Sequence, residues 1–193
     1  MNGTELLYDV HEDLEAATLA ALYRTELAAG GTYREAARNV EREAERPALA
    51  LHRIGRSHGL LAEELRDVLR QRGRPVPLAS GPGGIWAAPH GKISSVAPGG
   101  VEMVLEALQD GERLSLGVAL AATAELAEAM TAYVRYRLAP ALEENLERLS
   151  ELRAREARLR SGRRLGRVRP PGPPLSRSEA TGVDEGAGRE GIG

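Results

Sequence analysis

Apolar positions recur at spacings of three and four residues over most of the first 160 positions, the rhythm of helices that each bury one stripe. Between Thr4 and Ala28 the stripe is Leu7, Val10, Leu14, Ala17 and Ala21, with Thr4 standing where an N-cap is expected. Gly30-Gly31 reads as a break, and Thr32 as the cap of the next helix. That helical stretch runs from Tyr33 to about Arg72. Pro47 lies inside it and predicts a kink or short break, because proline lacks an N–H and its ring clashes one turn back. Beyond Pro47 the stripe is Leu51, Ile54, His58, Leu61, Leu65 and Val68, and Gly73 stops the helix.

Residues 74–100 are of another kind. They hold five Pro and six Gly in 27 residues, with neither helical nor alternating periodicity. A segment this long without regular structure needs a purpose. A crossover running the length of a helical bundle supplies one, with Ile85 and Trp86 pinning it into a groove. Helical text resumes at Val101 and continues to about Leu159. Its stripe is Val101, Val104, Leu108, Glu112, Ser115, Ala119, Ala122, Leu126, Met130 and Tyr133. Pro140 interrupts it, and Leu142, Leu146, Leu149 and Leu152 form a further seam. The two halves therefore resemble each other: a long amphipathic stretch, a proline, then a shorter Leu-rich stretch. The expected organisation is an all-α four-helix bundle over 1–160. Its first hairpin spans 4–72, its crossover 73–100 and its second hairpin 101–160, and a disordered tail spans 161–193.

Composition supports this class and removes several chemistries. The chain has 193 residues, no Cys, no Phe and one Trp, so its core must be built from Leu, Ala and Val. Leu and Ala are strong helix formers. Without cysteine there is no disulfide scaffold, thiolate metal site or cysteine nucleophile. No apolar run approaches the ~18 residues of a membrane span, which with the absence of a signal-peptide pattern predicts a soluble, cytoplasmic protein without a membrane partner. Charge is unevenly spread. Residues 1–152 carry 16 basic and 23 acidic side chains, whereas 153–169 carry eight Arg and one Glu. Beyond Ser161 the chain is too rich in Gly and Pro to bury the apolar surface that ordering requires.

Local text adds a resemblance. LLYDVHEDLEAATLAALYR resembles the first helix, and LALHRIGRSHGLLAEELRDVLRQRGRPVP the second helix, of small bacterial ferritin-like stress proteins of unknown function. The comparison covers roughly residues 4–158. It implies the ferritin-like connectivity, two helical hairpins joined by one long crossover. Catalytic members of that superfamily place a Glu on each of two helices and a Glu-x-x-His pair on each of the other two. Here positions 8, 49, 55 and 87, three before each histidine, are Tyr, Leu, Gly and Ala. A complete di-iron site is therefore not carried over, and the expected role leans away from enzyme. It is a stress- or storage-associated bundle that binds metal weakly or not at all, or a self-associating interaction module.

His58 and Glu112 are the most informative residues, because each interrupts an apolar stripe and a buried polar group needs a partner. They are expected to meet between the second and third helices. One reading is a buried His–Glu hydrogen bond. The other is a divalent metal, iron or manganese, with Glu15, Glu12 or His11 of the first helix completing the ligands. His11 and Glu15 are four apart and share a helix face. His52 is expected to face solvent, Glu125 and Glu128 to lie on a solvated face, and the tyrosines to pack at helix ends. His90 receives no role, and Gly81–Gly84 reads as a turn, lacking the Lys-Ser/Thr of a phosphate loop. The arginines Arg155, Arg158, Arg160, Arg163, Arg164, Arg167 and Arg169 read either as complements to a helix C-terminus or as a docking element for a protein partner or nucleic acid. Against nucleic acid stand the acidic body and the lack of aromatic residues among them. A homo-oligomer is expected from the Ala/Leu faces.

Overall fold

The computed structural model describes residues 3–41, 44–78, 83–96 and 100–165, with side chains described between Glu12 and Gly162. Every regular element in them is helical: α1 (Gly3–Glu41), α2 (Glu45–Gln71), a 3-10 turn (Gly84–Trp86), α3 (Ala87–Ser94), α4 (Val101–Ala122), α5 (Glu128–Tyr133), a π-helical turn (Val134–Leu138) and α6 (Ala139–Leu165). Residues 166–193, with Arg167 and Arg169, lie outside the described part, as do the side chains of His11, Arg163 and Arg164. The expected disorder of the tail falls there, although α6 itself runs past the expected boundary at Arg160 to Leu165.

The first hairpin differs from expectation in where it turns. α1 continues through Gly30-Gly31 without a break, and Thr32 does not cap a new helix but donates its hydroxyl to the Ala28 carbonyl at 2.9 Å. The glycines serve contact instead. A Cβ on Gly30 would lie 3.2 Å from the Gly55 carbonyl oxygen, and one on Gly55 would lie 3.0 Å from the Tyr33 Cβ, so α1 and α2 cross here almost backbone to backbone. α1 is described to Glu41 and α2 starts at Glu45, after Ala44, whose backbone is non-helical (φ −151°, ψ 79°). Pro47 is the third residue of α2, in the first turn, where a missing N–H costs no hydrogen bond. Gly73 does end α2. It sits at φ +65°, with its own N–H bonded to the Arg70 carbonyl and that of Arg74 to Leu69, the αL stop that glycine favours.

The second hairpin turns at 123–127 rather than at Pro140. The helical run expected from Val101 onward ends at Ala122, and Pro140 is the second residue of α6. The π-helical turn immediately before it widens the spiral where Pro140 brings a ring and no N–H, so α5 and α6 remain one continuous rod.

Two hydrophobic clusters set the directions of the helices. One joins Ala29, Ala36 and Val40 of α1 with Ala48 and Leu51 of α2, Val101 and Val104 of α4, and Leu149 of α6. The other joins Leu19 and Leu22 with Leu61, Leu65 and Leu69, Ala119, and Leu138 and Leu142. Hence α1 and α2 are antiparallel, as are α4 and α6, while α2 and α4 run the same way. The segment between α2 and α4 must travel back along the bundle. It does so with Val76 against the second cluster and Ile85, Trp86, Ile93 and Val96 against the first. At ~1.5 Å per residue α4 is about 33 Å long, well within the reach of an extended segment of this size, and α3 takes up the slack. The crossover is pinned as expected: Trp86 is fully buried and donates its indole N–H to Ser115 Oγ at 2.9 Å. Its ring lies flat enough on α4 that a Cβ at Gly111 would come within 2.4 Å of it. Among the described residues no helix is long and apolar enough to cross a membrane.

Candidate functional site

Between the two apolar clusters lies a polar layer to which all four long helices contribute: Glu26 from α1, His58 from α2, Glu112 from α4 and Asn145 from α6, none more than 1 % exposed. Each occupies a position that the helical period turns inward. On α1 the buried series Leu19, Leu22, Glu26, Ala29, Tyr33, Ala36, Val40 keeps the 3,4 rhythm with Glu26 as a full member. The stripe expected there is one face out of register. Leu14, Ala17 and Ala21 are exposed, and the side chains of Leu7 and Val10 lie outside the described part.

His58 is held from both sides. Its Nδ1 is 2.7 Å from Glu26 Oε2 and its Nε2 is 2.6 Å from Glu112 Oε1. Tyr33 donates its hydroxyl to the same Glu112 oxygen at 2.7 Å and stacks on the imidazole with ring centres 5.2 Å apart. Trp86 meets the imidazole edge-on at 6.1 Å. Burial alone would lower the His58 pKa, but the Glu112 and Glu26 carboxylates and their hydrogen bonds prevail and raise it from 6.5 to about 10. The ring is thus an imidazolium at neutral pH, donating Nδ1–H to Glu26 and Nε2–H to Glu112. Burial pushes the Glu26 carboxyl up, opposed by His58, and pushes the Tyr33 phenol up further, reinforced by Glu112.

Two details complete the electrostatics. Glu112 Oε2 is buried and has no hydrogen-bond partner. Asn145 Nδ2 lies 3.4 Å from His58 Nε2, but an imidazolium has no lone pair to offer it. Turned over, the amide would present its oxygen there instead. Chemically the arrangement is a proton clamp: a cation fixed between two carboxylates and flanked by two aromatic rings.

The expected meeting of His58 and Glu112 is therefore present. Glu15 is elsewhere. Its Oε1 accepts the Ala127 N–H at 3.0 Å and its Oε2 pairs with Arg72 at 2.5 Å, so it fastens the α4–α5 turn to α1 and α2. Glu12 pairs with Arg74, and His11 has no described side chain. Among the described residues no group of three or more His, Asp or Glu is disposed to hold a metal ion. Known protein families, characterised proteins and solved structures give no significant match to this chain.

The remaining residues sort by what they touch. His52 is half-buried rather than solvent-facing, and His90 pairs with Glu35 at 3.2 Å. Glu125 and Glu128 are both exposed, as expected, and Glu125 in addition accepts the Thr18 hydroxyl at 2.6 Å, a second tie at the α4–α5 turn. Arg160 pairs with Glu102 of α4 at 2.9 Å, whereas Arg155 and Arg158 are exposed on α6. The sequence reading missed Glu26, Tyr33 and Asn145. The signal that could have found Glu26 is the alternative 3,4 stripe on α1, which an Ala-rich helix makes easy to overlook.

Proposed function

We propose that the protein is a ferritin-like bundle of the stress- or storage-associated kind that acts as a self-associating interaction module rather than as a metal-dependent catalyst. The observation that carries this reading is the engagement of both His58 ring nitrogens by carboxylates, with the proton held up to about pH 10. The connectivity supports the ferritin-like comparison: antiparallel hairpins, a lengthwise crossover, and inward polar residues at one level of all four helices. On that reading Glu26 and Glu112 correspond to the two single-Glu positions, and His58 and Asn145 to the two histidine positions. The residues three before the latter, which would be the remaining glutamates, are Gly55 and Leu142. A di-iron or di-manganese centre does not fit. Two of six expected ligands are apolar, one is an amide, and the surviving imidazole has no free lone pair.

Self-association is supported by the apolar face that α1 turns outward. Leu14 is 43 % exposed and lies two turns before Ala21, which lines a groove with Leu27, Leu78, Ile85 and Val118. Leu114, one turn before Val118, is half exposed on the neighbouring helix. A second copy presenting the same face would cover this apolar surface, as in a two-fold interface.

One experiment tests both halves. Metal-stripped full-length protein is titrated with Fe(II) and Mn(II) while oxygen uptake is followed, and its mass is measured by light scattering with and without Leu14→Glu and Val118→Glu. Expected are no stoichiometric binding, no oxygen uptake, and an oligomer that the two substitutions dissociate. Two metals per chain with turnover would refute the non-catalytic reading, and a monomeric parent would refute self-association. A single, weakly held divalent cation is the second reading, favoured by the unpartnered Glu112 Oε2. It would have to displace the His58 proton, so its affinity would rise about tenfold per pH unit towards pH 10.

A further inference from the structure

The described arginine side chains of α6 divide into two sets by direction. Arg153 and Arg160 reach α4, pairing with Glu106 and Glu102. Arg148, Arg155 and Arg158 turn the other way and line a groove of about 760 Å³ between α6 and α2. The same groove takes in Arg53 of α2 and is floored by Ala50, Leu152 and Ala154, with Glu151 as its one acid. Positions 148, 151, 155 and 158 follow the helical repeat, so the three α6 arginines form a stripe parallel to the groove. Arg148 is engaged by Glu144. Arg53, Arg155 and Arg158 have no ion-pair or hydrogen-bond partner among the described residues, although carboxylates outnumber basic groups over residues 1–152. In sequence the series goes on past the groove with Arg163, Arg164, Arg167 and Arg169, and no acid follows Glu156 until Glu179.

We propose that this groove binds a linear phosphate polyanion without bases, namely inorganic polyphosphate. Guanidinium groups present planar forks that match phosphate oxygens, and a row of them along one groove suits a chain of phosphates rather than a single anion. The lining contains no aromatic side chain on which a nucleobase could stack, which disfavours a single strand of nucleic acid. The acidic remainder of the body repels such a ligand elsewhere and confines it to this edge.

The test uses the full chain and polyphosphate of uniform length, with binding measured by calorimetry across a salt series. Arg53→Gln/Arg155→Gln/Arg158→Gln is expected to weaken binding by at least about tenfold and to reduce the log–log salt slope by about 2, at ~0.7 for each phosphate no longer neutralised. A control removing equal charge off the groove, Arg24→Gln/Arg34→Gln/Arg135→Gln, is expected to change neither by more than about twofold. All these positions are exposed, and a thermal melt checks that each variant folds. The proposal is overturned if the groove variant binds like the parent, or if Arg163→Gln/Arg164→Gln/Arg167→Gln/Arg169→Gln alone abolishes binding while the groove variant retains it. It is equally overturned if oligothymidylate with the same number of phosphates binds more tightly than polyphosphate, or if polyglutamate binds as well.

Discussion

Removing Glu112 should be among the most costly single changes in this protein, and the loss should carry a pH signature. Glu112→Ala strips acceptors from two buried donors at once, His58 Nε2–H and the Tyr33 hydroxyl. Each unsatisfied buried donor costs about 1–3 kcal/mol, and breaking one side of a buried ion pair typically costs about 3–5 kcal/mol. The departure of the unpartnered Oε2 returns part of this, so about 3–4 kcal/mol is expected at pH 7. The parent should also depend on pH in a defined sense. Above pH 6.5 the unfolded chain releases the His58 proton while the folded protein keeps it to about pH 10. Stability from this proton is therefore complete below pH 6.5 and declines towards pH 10 by about 1.4 kcal/mol per unit, with a ceiling on the order of 5 kcal/mol. Urea unfolding followed by far-UV circular dichroism at pH 6, 7, 8 and 9 reads both effects. In Glu112→Ala the lost carboxylate lowers the His58 pKa, and the decline should shift to lower pH. A joint replacement, Glu26→Leu/His58→Leu/Glu112→Leu, should recover most of the loss, since apolar residues of similar size often match a buried ionic cluster. A parent flat between pH 7 and 9, or a Glu112→Ala variant as stable as the parent, would refute the proton clamp.

Three further expectations concern the frame around it. Gly111→Ala should destabilise by about 1–3 kcal/mol or expel the indole, because the new methyl would overlap the Trp86 ring; a red-shifted tryptophan emission would report the second outcome. In the parent, Trp86 emission should be blue-shifted and resist acrylamide, and free quenching would show the crossover unpinned. Glu15→Ala should cost about 0.5–2 kcal/mol by freeing the first N–H of the α5 cap and Arg72, and should leave metal content unchanged; altered metal content would return Glu15 to the ligand set.

Much of the bundle is legible in the sequence, and the places where it is not share a cause. The stripes of α2 and α4 name their buried faces almost residue by residue, and His58 and Glu112 stand out as the ionisable members of largely apolar stripes. α1 is harder. With so many alanines, two stripes one position apart look equally apolar, and only the partner helix decides between them. Gly30-Gly31 carries the local marks of a break, yet its role is set by Gly55, a contact no local reading contains. The turn at 123–127 is written in Thr, Ala, Glu and Leu, none of them turn formers, whereas Pro140 advertises an interruption that a π-helical turn absorbs. Asn145 looks like an ordinary exposed helix residue until α6 is docked.

The position of Trp86 has a kinetic consequence. Its ring closes one side of the imidazolium and is itself wedged over Gly111, with its N–H bound to Ser115. On this side the indole stands between His58 and the crossover surface, so proton exchange there requires the indole to leave its seat over Gly111 and break its bond to Ser115. A sudden alkaline shift should therefore reach the surface groups at once and the buried His58 proton only after a delay, since every group around that proton is itself buried.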